Sequence, residues 1–264
     1  MSILHEIAER TKERIEQQKK ILPSAQVIEM AEAVGDGDFP FENALKSDDI
    51  AFICEIKKAS PSKGIIAEDF PYLQIAKEYE AAGAAAISVL TEPFYFKGHD
   101  KYLLEIASGV SVPLLRKDFT VDSYMIYEAK VLGASAVLLI CTLLDFNRLA
   151  EYINIAHSIG LSALVETHDE KEVKMALDAG ARIIGVNNRN LKTFEVDMTL
   201  SERLIKLVPP DLIFVSESGI KTPSDIAKLR DIGANAVLIG ETIMRSGDKF
   251  SEIQRLRGGD IDKS

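Results

Sequence analysis

From about residue 50 onward, short runs of β-branched and other apolar residues alternate with longer segments whose apolar positions recur at helical spacing. The runs cover residues 50–57, 85–90, 113–116, 136–140, 161–165, 183–186, 212–216 and 236–239. Near-continuous hydrophobicity over four to eight residues is the mark of parallel strands covered by helices on their outer side. Between the runs, Asp69, Asp122, Asp145, Asp169 and Thr222 are placed to cap helix N-termini, with Pro71 and Pro223 near first turns. Gly83, Gly133, Gly160, Gly180 and Gly233 are placed to end the same helices. Each unit is a strand followed by a helix.

Gly-Ala pairs at 83, 133, 180 and 233 stand before the second, fourth, sixth and eighth runs, at separations of 50, 47 and 53 residues. That period is two βα units, so four similar double units are expected. A closed (β/α)8 TIM barrel of roughly 250 residues explains both the count and the length. An open doubly wound sheet is the competitor, but the Gly-rich dinucleotide fingerprint is missing after the first run. The expectation is a single domain over residues 1–264, with 1–49 as an N-terminal helical extension. In it the pattern predicts a charged helix from Ser2 to about Lys20 and a second over 25–34. Its cations Arg10, Lys12, Arg14, Lys19 and Lys20 allow an RNA-binding arm. Interleaved Glu6, Glu9, Glu13 and Glu16 favour a solvated, internally paired helix instead. The same segment is also placed to cap the barrel mouth.

Charge narrows the partners. The formal net charge is −10, which argues against a nucleic-acid or anionic-membrane binder with a broad basic face, although a few cations suffice for a small anion. With 47% hydrophobic and 27% charged residues, the composition is that of a globular chain able to bury a large core. Cys54 and Cys141 sit within apolar runs, as buried free thiols of a reducing compartment do, and the N-terminus lacks an apolar signal core. A cytoplasmic location is expected. The histidines (His5, His99, His157, His168) and cysteines show no metal-ligand spacing, and no cofactor is expected. Oligomeric state is not legible.

In a barrel, chemistry belongs where strands end at their C-terminal side. Period-two geometry places Glu55 and Lys57 on one face of the first strand. Burying both is costly unless they pair structurally or take part in chemistry. Lys117 ends the third strand, and Glu166 ends the fifth in phase with Ser162 and Leu164. Asn187 and Arg189 share parity after the sixth, and Glu217 ends the seventh. Ser218-Gly219 follows the seventh, and Gly240-Glu241 follows the eighth and opens a short helix. Each glycine alone allows a tight turn; together on adjacent strands they suit a phosphate.

The segments EIKKASPSKG (55–64), LRKDF (115–119), LVE (164–166), GVNNRNL (185–191), SESGI (216–220) and LIGE (238–241) together resemble the indole-3-glycerol phosphate synthase family, in family order and over almost the whole chain. The resemblance implies cofactor-free conversion of 1-(o-carboxyphenylamino)-1-deoxyribulose 5-phosphate into indole-3-glycerol phosphate, with loss of CO2 and water, in tryptophan biosynthesis. It implies Lys117 as the acid for ring closure, a role suited to a lysine whose pKa is lowered by burial or neighbouring cations. It further implies Lys57 at the substrate carboxylate and as a donor in dehydration, Glu166 as stabiliser of positive charge or base, and Glu55 as a later base. Asn187 and Glu217 would orient the substrate and the lysines, and Arg189 would hold the anionic substrate. Ser60, Ser218, Gly219, Gly240 and Glu241 would take the phosphate, with the Glu241 side chain turned away from it. Phe94 or Phe96 would form an aromatic wall. Gly98-His99 stands where many relatives carry Gly-Ser, and His99 suits a helix start. Two other readings remain: a Schiff-base aldolase, and a non-catalytic phosphosugar-binding barrel.

Overall fold

Every predicted run forms a strand in the computed structural model, which describes residues 3–35 and 37–258. The strands are β1 (Ala51–Ile56), β2 (Ala86–Leu90), β3 (Leu114–Lys117), β4 (Ala136–Ile140), β5 (Ser162–Thr167), β6 (Ile183–Asn187), β7 (Ile213–Glu217) and β8 (Ala236–Ile239). Consecutive strands pair in parallel, and β1 pairs with both β2 and β8, so the sheet closes into a barrel. Closure excludes the open doubly wound sheet. A two-residue hairpin that the pattern did not predict, Ala59–Ser60 against Gly64–Ile65, follows β1.

Alternation along each strand sorts the side chains. Ile53, Leu115, Leu138, Leu164, Ile183, Val215 and Leu238 fill the barrel interior. Phe52, Cys54, Ile87, Val137, Val165 and Phe214 face the surrounding helices. Each fully buried Leu, Ile or Phe contributes about 1.5–3 kcal/mol through removal from water. The outer helices are α4 (Tyr72–Ala81), α5 (Asp100–Ala107), α6 (Tyr124–Val131), α7 (Phe146–Ser158), α8 (Glu170–Asp178), α9 (Thr199–Leu204), α10 (Pro223–Asp231), α11 (Glu241–Arg245) and α12 (Lys249–Arg257). Asp145 and Asp169 accept the backbone N–H three residues on, and Thr222 forms a capping box with Asp225. The five helix-ending glycines all have positive φ, which is why a residue without Cβ stands there. Two predicted caps are corrected. Helix α4 starts after Pro71 rather than at Asp69, and α6 starts at Tyr124, so Asp122 accepts the Tyr124 N–H from one residue before the Ser123 cap.

Three helices precede the barrel: α1 (Ile3–Ile21), α2 (Ser24–Ala33) and α3 (Pro40–Leu45). Ser2, the predicted start of the first, lies outside the described residues. The unpredicted α3 is too short to show a period, yet it buries Phe41 and Leu45 against the interior cluster. Its Glu42 lies 2.8 Å from Arg182, which precedes β6, so α3 plugs the N-terminal end of the barrel. Helix α1 instead covers the mouth, where Leu4 and Ile7 join the interior cluster. Four of its five lysines and arginines meet carboxylates: Arg14 donates to Asp118 (2.8 Å) and Lys19 to Asp122 (2.7 Å), while Arg10 and Lys12 pair with Glu6 and Glu9; Lys20 donates to Gln17. No helix among the described residues is long and apolar enough to cross a membrane.

Candidate active site

A cavity of about 670 Å³ opens between α1 and the C-terminal strand ends, and all twelve site residues expected from the sequence line it. Ile3, Leu4 and Ile7 of α1 form part of its wall. Parity brings the ionisable groups inward from four different strands. Lys57 Nζ donates to Glu55 Oε1 beside β8. Across the cavity, Lys117 Nζ donates to Glu166 Oε2 at 3.2 Å and lies 3.3 Å from Glu217 Oε2. Two glycines make room: a Cβ on Gly185 would strike the Glu217 carboxylate, and one on Gly240 would strike Glu55 and come within 3.1 Å of Lys57 Nζ. Gly185 was not singled out in the sequence because its reason is a side chain on the next strand, a whole helix further along the chain.

The charges are strongly coupled. Burial alone would lower the Lys117 pKa, but Glu217, Glu166 and Glu55 outweigh it and hold the ammonium well above the ordinary lysine range. The expected lowering of this pKa is therefore reversed. Among the carboxylates, burial opposes ionisation of Glu166, yet Lys117 and then His168 hold it well below the usual range. Burial raises Glu217 to about 7, with Lys117 opposing and Glu166 adding to the rise. Its Oε1 is buried without a hydrogen-bond partner. One lysine thus serves two carboxylates unequally: Glu166 is held ionised, while burial keeps the Glu217 pKa raised.

The rim carries the expected anion-binding features. Ser218 and Gly219 both have positive φ, and the turn is held by Asn188, whose Nδ2 donates to Ser216 Oγ and the carbonyls of Glu217 and Ser218. Gly219 also packs so closely on Met198 that a Cβ would lie 2.7 Å from its sulfur. Gly240 precedes the first turn of α11, and Ser60 is buried in the hairpin after β1. The Glu241 side chain turns to cations of the rim, 3.5 Å from Lys63, 3.2 Å from Arg245 and 4.0 Å from Arg189. Asn187 Oδ1 accepts the Arg189 N–H at 3.0 Å, which ties the end of β6 to the loop after it.

Phe96 also lines the cavity, with its ring 5.9 Å from that of Phe119. Phe94 is exposed and lies under the Arg10 guanidinium, so Phe96 is the aromatic wall. Buried Glu92 shapes this loop by accepting the backbone N–H groups of Phe94, Tyr95 and Phe96 at 2.7–2.9 Å. His99 caps α5, its Nδ1 accepting the Lys101 N–H at 3.0 Å. Sequence reasoning missed Glu92, Asn188, the Arg14–Asp118 pair and His168. Glu92, Asp118, His168 and Asn188 stand one or two residues beyond strand ends and Arg14 on the charged first helix, where polar residues are ordinary and nothing says which partner satisfies them.

The family model for indole-3-glycerol phosphate synthase matches residues 4–256. A protein of that name from Ruminiclostridium cellulolyticum is 62% identical over 97% of this chain and 99% of its own length. One from Lachnoclostridium phytofermentans is 51% identical over 97% of this chain and 98% of its own. Among solved structures, a mutant tryptophan synthase alpha-subunit from Pyrococcus furiosus superimposes with a TM-score of 0.61 over 80% of this chain and 98% of its own, at 16% identity. That last likeness concerns the fold alone. Near-complete coverage by the family model and the high-identity relatives, on a barrel whose mouth gathers the family's motifs, means that the chain belongs to the indole-3-glycerol phosphate synthase family.

Proposed function

We propose a division of labour among the cavity residues for the family's reaction, the decarboxylating and dehydrating ring closure that yields indole-3-glycerol phosphate. Lys117 donates a proton to the substrate ketone oxygen as the aromatic carbon attacks the carbonyl carbon. Its raised pKa supports this role, because the alkoxide being formed is a stronger base than the amine left behind, and three carboxylates keep the donor charged. Glu166, held ionised, faces the positive charge that develops at the anilino nitrogen. Lys57 binds the substrate carboxylate, which leaves as CO2 when the ring regains aromaticity. It then donates a proton to the departing hydroxyl, and Glu55, in contact with it, removes the ring proton.

Asn187 and Glu217 orient these groups, and Arg189 holds the substrate anion with the loop after β6. Ser60, Ser218, Gly219 and the backbone N–H groups of Gly240 and Glu241 receive the phosphate. Phe96 and Phe119 cover the aromatic ring. The extension and the barrel act as one domain, because α1 walls the cavity. The buried thiols suit the cytoplasm.

The observation that carries this reading is Lys117 between Glu166 and Glu217 at the floor of the cavity. The same geometry opposes a Schiff-base aldolase, which needs a neutral amine. Purified protein given the carboxyphenylamino-deoxyribulose phosphate is expected to release an indole product, read by fluorescence against a chain that contains no Trp. No product from folded protein at micromolar concentration, or a borohydride-trapped adduct on Lys57 or Lys117, would overturn it.

A further inference from the structure

His168 follows the last residue of β5 and lies behind Glu166, outside the cavity lining. Its Nε2 is 3.2 Å from Glu166 Oε1, the oxygen that Lys117 does not engage. On its other side, Nδ1 lies 3.0 Å from Glu172 Oε2, and the same carboxylate oxygen accepts the His168 backbone N–H at 2.8 Å. Glu172 is itself fixed: Thr142 Oγ1 donates to its Oε1 at 2.6 Å, and its backbone N–H donates to the Asp169 cap at 2.9 Å. Lys117, Glu166, His168 and Glu172 therefore form a row of alternating charge from the cavity to the first turn of α8.

We propose that His168 is a positioning residue for the catalysis: the ring, clamped by Glu172, fixes the orientation of the Glu166 carboxylate and keeps it ionised beside the substrate. The inference rests on the role given above to Glu166. Lys117 pairs with one oxygen of Glu166 and the buried His168 Nε2, which has no hydrogen-bond partner, lies at ion-pair distance from the other, so the two cations, with the Asn187 side chain beside them, restrict rotation of the carboxylate about its last bond. Burial alone would lower the His168 pKa, but its contacts with Glu166 and Glu172 push it up to about 10, so the ring is an imidazolium at neutral pH. The charged groups that act on it are Glu166, at the end of the strand it follows, and Glu172 from α8; the same two carboxylates, with the Asp169 cap, also act on the Cys141 thiol in the turn after β4, which burial keeps protonated. Lys117 stands on the far side of Glu166.

The test compares His168→Gln, Glu172→Gln and Glu166→Gln by kcat and KM as functions of pH, with thermal unfolding to verify folding. His168→Gln is expected to lower kcat about 10- to 100-fold while changing KM by about twofold or less. The acid limb of kcat should move to higher pH, because Glu166 loses one of the two cations that keep it ionised. Glu172→Gln, which leaves the ring in place, should show a smaller change of the same kind and guards against a misfolded His168 variant. In 15N spectra, the His168 imidazole of the wild type is expected to stay doubly protonated through neutral pH. Unchanged kcat and acid limb in folded His168→Gln and Glu172→Gln, beside an inactive Glu166→Gln, would overturn the inference, as would a neutral His168 ring. An active Glu166→Gln would instead overturn the role of Glu166 itself.

Discussion

Replacing Lys117 by Met keeps most of the side-chain volume and removes only the charge, so its effects report on electrostatics rather than on a cavity. The ammonium lies 3.2 Å from Glu166 and 3.3 Å from Glu217. At an effective dielectric near 20, each attraction is on the order of 5 kcal/mol before desolvation, and breaking a buried pair costs about 3–5 kcal/mol net. Turnover should fall by about 100- to 10,000-fold, the usual share of a general acid, or about 3–5 kcal/mol of barrier. Substrate binding should remain measurable by fluorescence titration.

The stability cost has a definite sign with pH. In the wild type Glu166 is held well below the usual range, so its ion pair stabilises the fold above the ordinary glutamate pKa and that contribution is lost on acidification. Without Lys117, His168 still opposes burial at Glu166, but the Glu217 pKa, already raised to about 7 against Lys117, climbs further. The folded variant then holds more protons than the folded wild type, and its stability falls relative to wild type as pH rises from about 7 through the new Glu217 pKa. The gap should widen by about 1.4 kcal/mol per pH unit in that window for the one extra proton. Denaturant titrations from neutral to alkaline pH measure it. A kcat within tenfold of wild type would refute the acid role, and a stability gap independent of pH would refute the electrostatic account.

Gly185→Ala should push the Glu217 carboxylate from its place and lower kcat about 100-fold with the fold retained; an unchanged kcat would show that Glu217 does not need that position. Arg14→Ala removes a charged hydrogen bond to the fully buried Asp118, whose pKa burial would raise but Arg14 and Arg116 keep low, and should cost about 1.5–3 kcal/mol at neutral pH. That contribution fades as pH falls through the Asp118 range, so wild-type stability of the variant at neutral pH would sink the assignment. Cys54 and Cys141 are fully or almost fully buried; burial pushes Cys54 up to about 12 and Cys141 well above its ordinary value. A thiol reagent at mildly alkaline pH should therefore modify neither until denaturant is added, and prompt labelling of native protein would contradict the buried placement.

The fold was legible because a strand or an outer helix announces itself locally. Eight apolar runs, three side-chain caps and five glycines in left-handed conformation repeat at a period that a closed barrel accommodates. Strand parity likewise placed Glu55 beside Lys57 and aimed Lys117, Glu166 and Glu217 at one mouth before any coordinates. The six-residue helix at 40–45 was not legible, since its reason is the open barrel end that Phe41 and Leu45 fill.

What the sequence determined by itself was which residues face inward and which family's motifs they compose, because periodicity and motif order are properties of one stretch of chain. What only the tertiary structure decided was the protonation of those residues and who holds them. Lys117 has its pKa raised rather than lowered because carboxylates from three other strands surround it. Glu166 has His168 at its back, and Glu217 occupies the space that Gly185 leaves. Coulomb energy falls with distance through space, not with separation along the chain, so these balances exist only once the barrel has closed.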